Sequence, residues 1–124
     1  MRDIAAVAVG GAIGATLRWV LGTWIVGRTG AAFPWHTLAI NVLGAFLIGV
    51  LMAVSLEKGA IGGTWLLFLG TGILGGFTTF STLSYESIAL MNQGLVAAGF
   101  ANMFGSGLAG LAAAWLGLVV GRAI

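Results

Sequence analysis

Four stretches of the chain, Ile4 to Val26, Pro34 to Ser55, Thr64 to Met91 and Leu95 to Val120, are apolar and separated only by short polar turns. A run of about 20 such residues crosses the hydrocarbon layer as a helix. Lipid offers no hydrogen bonds, so a spanning segment must satisfy its own backbone, which a helix does. With 60% hydrophobic and 6% charged residues in 124, four spans use up the chain and leave no room for a soluble domain. The expected fold is an all-α integral membrane protein, residues 1–124 forming one four-helix transmembrane domain, with any function inside the bilayer.

The turns are marked by Gly27-Arg28-Thr29-Gly30, Glu57-Lys58-Gly59 with Gly62-Gly63, and Asn92-Gln93-Gly94, and Pro34 suits a helix's first turn. Trp24, Trp35, Trp65 and Trp115 fall near span ends, where an indole prefers the headgroup level, while Trp19 lies about one turn deeper. The first stretch lacks a small-residue cleavage site after a short core and reads as a retained helix. Four spans put both termini on one side. Arg2, Lys58 and Arg122 then face one solution, and Arg28, with Arg18 near the end of its span, the other. So small a bias permits insertion either way up, and two oppositely oriented copies would meet around an axis in the membrane plane. The alternative is a single orientation. Gly10/Gly14, Gly72/Gly76 and Ser106/Gly110 are small-xxx-small pairs that suggest tight helix contacts and a dimer.

The third stretch is long for one helix, and Gly75-Gly76-Phe77-Thr78-Thr79-Phe80-Ser81-Thr82 interrupts its middle with a glycine pair and a hydroxyl cluster. It is expected to be a broken helix. Backbone released at that depth must be buried in protein or face water or an ion, so chemistry is expected there.

Around it stand the polar residues of the spans. Arg18 reads as an anion-attracting group at a pore mouth or as a side chain reaching to headgroups. Asn41, one turn from Thr37, reads as an amide donor to an anion or as an interhelical hydrogen bond. Asn102, Ser106 and Gly110 repeat a four-residue spacing on the last span. Phe80 and Leu83 lie at i and i+3; packing is one reading of Phe80, and a positive ring edge turned to a small anion is the other. Glu86, the one carboxylate within a span, joins a hydroxyl-lined track with Ser81 and Thr82 or lies near enough to the span's end to reach water. His36 has no Cys, Asp or Glu at metal-ligand spacing and reads as a headgroup-level residue. There is no cysteine, no Ser-His-Asp arrangement and no phosphate loop, so an enzyme is not expected. The five cationic residues are too scattered for nucleic acid.

Three segments in order, Gly10 to Arg18, Asn41 to Gly49, and Gly75 to Thr82 followed by Glu86, resemble bacterial fluoride channels of the Fluc/CrcB family. The resemblance covers all four spans. It implies an antiparallel, dual-topology homodimer with two pores and a structural Na+ at its centre. The Na+ ligands would be backbone carbonyls of Gly75 and Thr78 from both subunits, the pore's aromatic Phe80 and its amide donor Asn41. The path would continue along Leu83, Ser81, Thr82, Glu86, Asn102, Ser106 and Gly110, with Arg18 attracting the anion. Relatives often carry phenylalanine where this chain has Leu83, serine at Gly110 and tyrosine at Asn102.

The function this implies is passive fluoride export across the bacterial inner membrane, as a multi-pass channel whose partners are fluoride, lipid and a second copy of itself. Two rivals stand beside it. A proton-coupled small multidrug exporter also has four spans, but such proteins resemble one another in a carboxylate on span one, where this chain offers Arg18. A structural or hole-forming bundle without ion selectivity leaves the interrupted third stretch without a purpose.

Overall fold

The computed structural model describes residues 1–124 and is helical through its four spans except at Thr78 and Thr79. Helix α1 covers Arg2–Thr29 and α2 covers Trp35–Glu57. The third span, Gly63–Asn92, consists of α3 (residues 63–77) and α4 (Phe80–Asn92), and α5 covers Val96–Ala123. Each of the four spans is long and apolar enough to cross a membrane, and each agrees with the boundaries read from sequence to within a turn.

Hydrogen bonds at one end of the bundle fix the up-and-down order. Thr64, opening α3, donates to Asp3 of α1 at 2.7 Å. Arg122, near the end of α5, grips the Glu57 carboxylate at the end of α2 through Nε and Nη2 at 2.7 to 3.0 Å. Both chain ends therefore lie together, with the Gly30 and Gly94 turns at the opposite end. Gly94 adopts φ +83°. Its N–H bonds to the Met91 carbonyl and that of Leu95 to the Leu90 carbonyl, each at 3.0 Å, which closes α4 and explains why a residue without Cβ stands there.

Packing runs through glycine. A Cβ on Gly14 would collide with the Ile73 carbonyl, and one on Gly10 would lie 2.5 Å from the Phe68 carbonyl and 3.0 Å from Gly72 Cα. On the other seam, Gly49 abuts the Ala114 carbonyl and Gly117 the Phe46 carbonyl with no space for a side chain. Lipid tails are as apolar as leucine, so such close approach, and not hydrophobic exclusion, holds the spans together. The pairs Gly10/Gly14 and Gly72/Gly76, which the sequence marked as tight helix contacts, are used within the chain, α1 against α3. Only 23 of 124 residues are buried, so most apolar side chains face outward, as lipid allows.

The third span is broken where the sequence indicated. Thr78 (φ −81°, ψ 158°) and Thr79 (φ −154°, ψ 115°) are extended. Leu67–Leu74 is wound more widely than an α-helix, with the Gly75 N–H reaching back to the Gly70 carbonyl. Such wide turns cluster at functional sites.

Candidate functional site

Extended residues inside an apolar helix must hand their hydrogen bonds to something else. The Thr79 N–H donates to Asn41 Oδ1 at 2.8 Å, and Asn41 Nδ2 donates to the Thr79 carbonyl at 3.0 Å. A single carboxamide on α2 thus imitates a strand partner for one residue. Thr79 also caps α4: its Oγ1 accepts from the Thr82 N–H at 3.2 Å and donates to Thr82 Oγ1 at 3.0 Å. Ser81 Oγ lies 3.3 Å from the same hydroxyl. Arg18 Nε donates to the Gly76 carbonyl at 3.1 Å, supplying a cation where α3 ends in bare carbonyls. Gly44 of α2 lets Thr78 pass, since a Cβ there would overlap Thr78 Cγ2.

In an unbroken helix the Gly75 carbonyl would receive the Thr79 N–H and the Thr78 carbonyl that of Thr82. Both donors have gone elsewhere, to Asn41 and to the Thr79 hydroxyl. Two main-chain oxygens are left without their helical partners. No three His, Cys, Asp or Glu side chains gather anywhere as a metal site.

Two cavities meet at Thr79. One, a groove of about 430 Å³, has Asn41, Gly75, Thr78, Thr79, Phe80 and Leu83 along one side, with Ser106 and Gly110 of α5 facing them. Phe80 is 70% exposed and Leu83 only 6%, so the two ring positions of the motif have opposite settings in the single chain. The other cavity, about 540 Å³, holds Arg18, His36, Thr37, Thr79 and Thr82 against an apolar wall that includes Trp19 and Ile40.

Beside the larger cavity, Glu86 Oε1 accepts from Thr37 Oγ1 at 2.9 Å and lies 3.0 Å from His36 Nε2, while its buried Oε2 has no partner. The pair closes one side of a smaller cavity of about 130 Å³ bounded by Pro34 and Gln93. Asn102 is 1% exposed and donates to Ser87 Oγ at 3.0 Å, and Ser87 donates to the Leu83 carbonyl at 2.8 Å.

The residues singled out in the sequence thus divide. Asn41, Gly75, Thr78, Phe80, Leu83, Ser106 and Gly110 share the groove, and Arg18 and Thr82 share the larger cavity. Ser81 is exposed, Glu86 belongs to the smaller cavity, and Asn102 is sealed between helices and lines neither large cavity. Of the two readings of Asn41, the interhelical hydrogen bond is formed, and its partner is main chain. Arg18 bonds to the end of α3 and also lines the larger cavity. Sequence reasoning passed over Thr79, the most heavily bonded residue of the break, and the approach of His36 to Glu86. Thr79 stood within the hydroxyl cluster; nothing marked His36.

Residues 5–118 match the family described as CrcB-like protein, Camphor Resistance (CrcB). Among curated relatives, a "Fluoride-specific ion channel FluC" of Thermus thermophilus is 52% identical over 118 residues, 95% of this chain and 92% of its own length. One of Rhizobium meliloti with the same name is 42% identical over 124 residues, 100% and 99% of the two chains. Another, of Acidobacterium capsulatum, is 44% identical over 95% of this chain and 94% of its own. The four apolar spans, the break at Thr78 and Thr79 and a family match over nearly the whole length agree: the chain belongs to the CrcB family.

Proposed function

We propose that the chain is a fluoride channel that carries the ion passively across the bacterial inner membrane. The observation that supports this most directly is the clamped break: within a family whose relatives are named for fluoride conduction, extended backbone at mid-span lines a cavity on each side, each carrying polar side chains. An anion leaving water needs hydrogen-bond donors along a narrow way. Asn41 uses one Nδ2 hydrogen on Thr79 and has a second for the ion. Ser106 and the hydroxyls of Thr79, Ser81 and Thr82 add further donors, and the exposed Phe80 on the groove would offer an ion its ring edge, positive in its quadrupole. Arg18 raises the local potential for an anion in the larger cavity. Glu86 and Asn102 stand beside this way, the first as a charge to be passed, the second as a strut fixing α4 against α5.

The carbonyls of Gly75 and Thr78 fit a structural Na+, because hard cations take oxygen ligands and these two oxygens have lost their helical donors. A second, oppositely oriented copy meeting this one at the groove doubles two ligands to four. Gly75 and Phe80 are exposed in the single chain, which suits such a meeting. When bound, the cation supplies fixed positive potential at low dielectric, which lowers an anion's cost nearby.

Purified protein in liposomes tests the reading. A fluoride electrode should record rapid efflux that needs no proton gradient. Equal leakage of chloride and fluoride would point to a non-selective bundle, and proton-driven uptake of an organic cation to an exporter.

A further inference from the structure

A third cavity, about 480 Å³, opens between α1, α2 and α3, and every residue that lines it is apolar, so it offers an ion nothing. Its lining includes Leu17, Leu21 and Trp24 of α1, Leu47 of α2, and Leu74 and Phe77 of α3. Leu17, Trp24 and Leu47 are 40 to 56% exposed, so the cavity is a groove open to the bilayer. The spacing on α1 is that of one helical face, and the same stripe continues one turn further to Arg28. Arg28 is exposed, with its guanidinium 4.9 Å over the Trp24 ring. The ion pairs of the molecule join His36 to Glu86 and Arg122 to Glu57, so Arg28 has no carboxylate partner. No acidic residue stands between Asp3 and Glu57 in the sequence. A guanidinium stacked on a ring keeps the N–H donors of its edge for a phosphate.

The depth of the groove is that of a lipid. From Leu17 to Arg28 the helix rises roughly 16 Å, and half of a hydrocarbon layer about 30 Å thick is about 15 Å. Trp24 suits the headgroup level, and Phe77 is the last helical residue before the break. We propose that the groove binds one anionic phospholipid of that leaflet, with an acyl chain along Leu17, Leu21 and Leu47 and the headgroup phosphate on Arg28. Charge selects the class. A cation with no acid beside it favours a headgroup of net negative charge over a zwitterion, by about fivefold for one arginine near the surface. The chain also bears on the break. Leu74 lines both this groove and the one that holds Asn41 and Phe80, and its carbonyl accepts the Thr78 N–H and Thr78 Oγ1, each at 3.0 Å. A bound acyl chain therefore packs against the last turn of α3.

Native mass spectrometry of the whole chain, titrated in detergent with phosphatidylglycerol or phosphatidylcholine of the same acyl chains, tests this. The first lipid bound should show about fivefold preference for phosphatidylglycerol. Arg28→Gln should bring phosphatidylglycerol down to the affinity of phosphatidylcholine, and Arg2→Gln, at the opposite end of the bundle, should not. Leu47→Trp fills the groove and should weaken both lipids; if it fails to fold, Arg28→Gln still decides. Glycerol phosphate, a headgroup without a chain, should not compete at the same concentrations. Equal affinity for the two lipids in wild type, a preference that survives Arg28→Gln or is lost equally in Arg2→Gln, or competition by glycerol phosphate overturns the proposal. So does a folded Leu47→Trp variant that binds lipid as before but no longer self-associates, which would give the groove to a second copy of the chain.

Discussion

Asn41→Ala is the perturbation that the break should feel most. The substitution removes an acceptor 2.8 Å from the Thr79 N–H and a donor 3.0 Å from the Thr79 carbonyl. Were both groups left unpaired in a dry site, each would cost about 1–3 kcal/mol, so the pair would cost about 2–6 kcal/mol. Polar contacts between membrane helices average only about 0.6 kcal/mol, because freed groups find other partners, which sets a floor near 1 kcal/mol for two. The structure indicates which limit is nearer. Thr79 has a partner in reserve: returned to helical dihedrals, its N–H reaches the Gly75 carbonyl, which has no helical donor now. Thr78 opposes this, because its Cγ2 occupies the space that Gly44 leaves and rewinding must move it. A loss of about 2 kcal/mol is expected, above the floor and at the low end of the upper range. The break should heal in the process, taking the Gly75 oxygen out of service. Asn41→Asp keeps the acceptor and loses the donor, so it should lose less stability while adding a negative charge that slows an anion. Unfolding in mixed micelles by added SDS reads the stability, and amide exchange at Thr79 reads the clamp. An unchanged midpoint together with wild-type protection of the Thr79 amide in Asn41→Ala would mean that the carboxamide does not hold the break.

Phe80→Ile should reduce fluoride efflux by about tenfold or more while the protein still assembles, since the ring edge is lost and no buried packing with it; unchanged efflux removes Phe80 from the path. Gly14→Val should separate α1 from α3 and destabilise the protein by about 3 kcal/mol or prevent its accumulation, because even a Cβ overlaps the Ile73 carbonyl. Gly11→Ala, on the same helix but with nothing within 4 Å of the added carbon, is the matched control and should be near neutral in the same SDS titration.

What the sequence made legible follows from the range of each signal. Span limits are local sums of apolar character, and they held to a turn because each was framed by glycine, proline or tryptophan. The break was legible because Gly75 to Thr82 is contiguous. The roles of Arg18, Asn41 and Glu86 were not, since each partner lies on another helix. Asn41 and Thr79 are 38 residues apart, Thr37 and Glu86 49, and Arg18 and Gly76 58. Rotation of one helix against another decides such pairs, and hydropathy says nothing of rotation. The glycine pairs illustrate the same limit. Gly10 and Gly72 announced close packing correctly, but spacing within one helix cannot say whether the surface it meets belongs to the same chain.

On the proposed reading the break serves two ions of opposite sign, because interrupting a helix exposes two unlike ends. A helix carries roughly half a negative charge at its carbonyl end and half a positive charge at its amide end. Here α3 ends and α4 begins within two residues, so both ends lie side by side. Arg18 covers the Gly76 carbonyl, which leaves the Gly75 and Thr78 oxygens for a cation on the proposed reading. At the start of α4, Thr79 Oγ1 takes the Thr82 amide, which leaves Phe80 and Ser81 with amides that no preceding turn can satisfy. A cation beside the carbonyls and an anion near the amides each lower the other's desolvation cost, most strongly where the dielectric is low. Asn41 sits at the junction and binds the one residue, Thr79, that faces both cavities. A third span that was only bent, with its ladder of hydrogen bonds intact, would present neither end, and the polar residues around it would have no ion to organise.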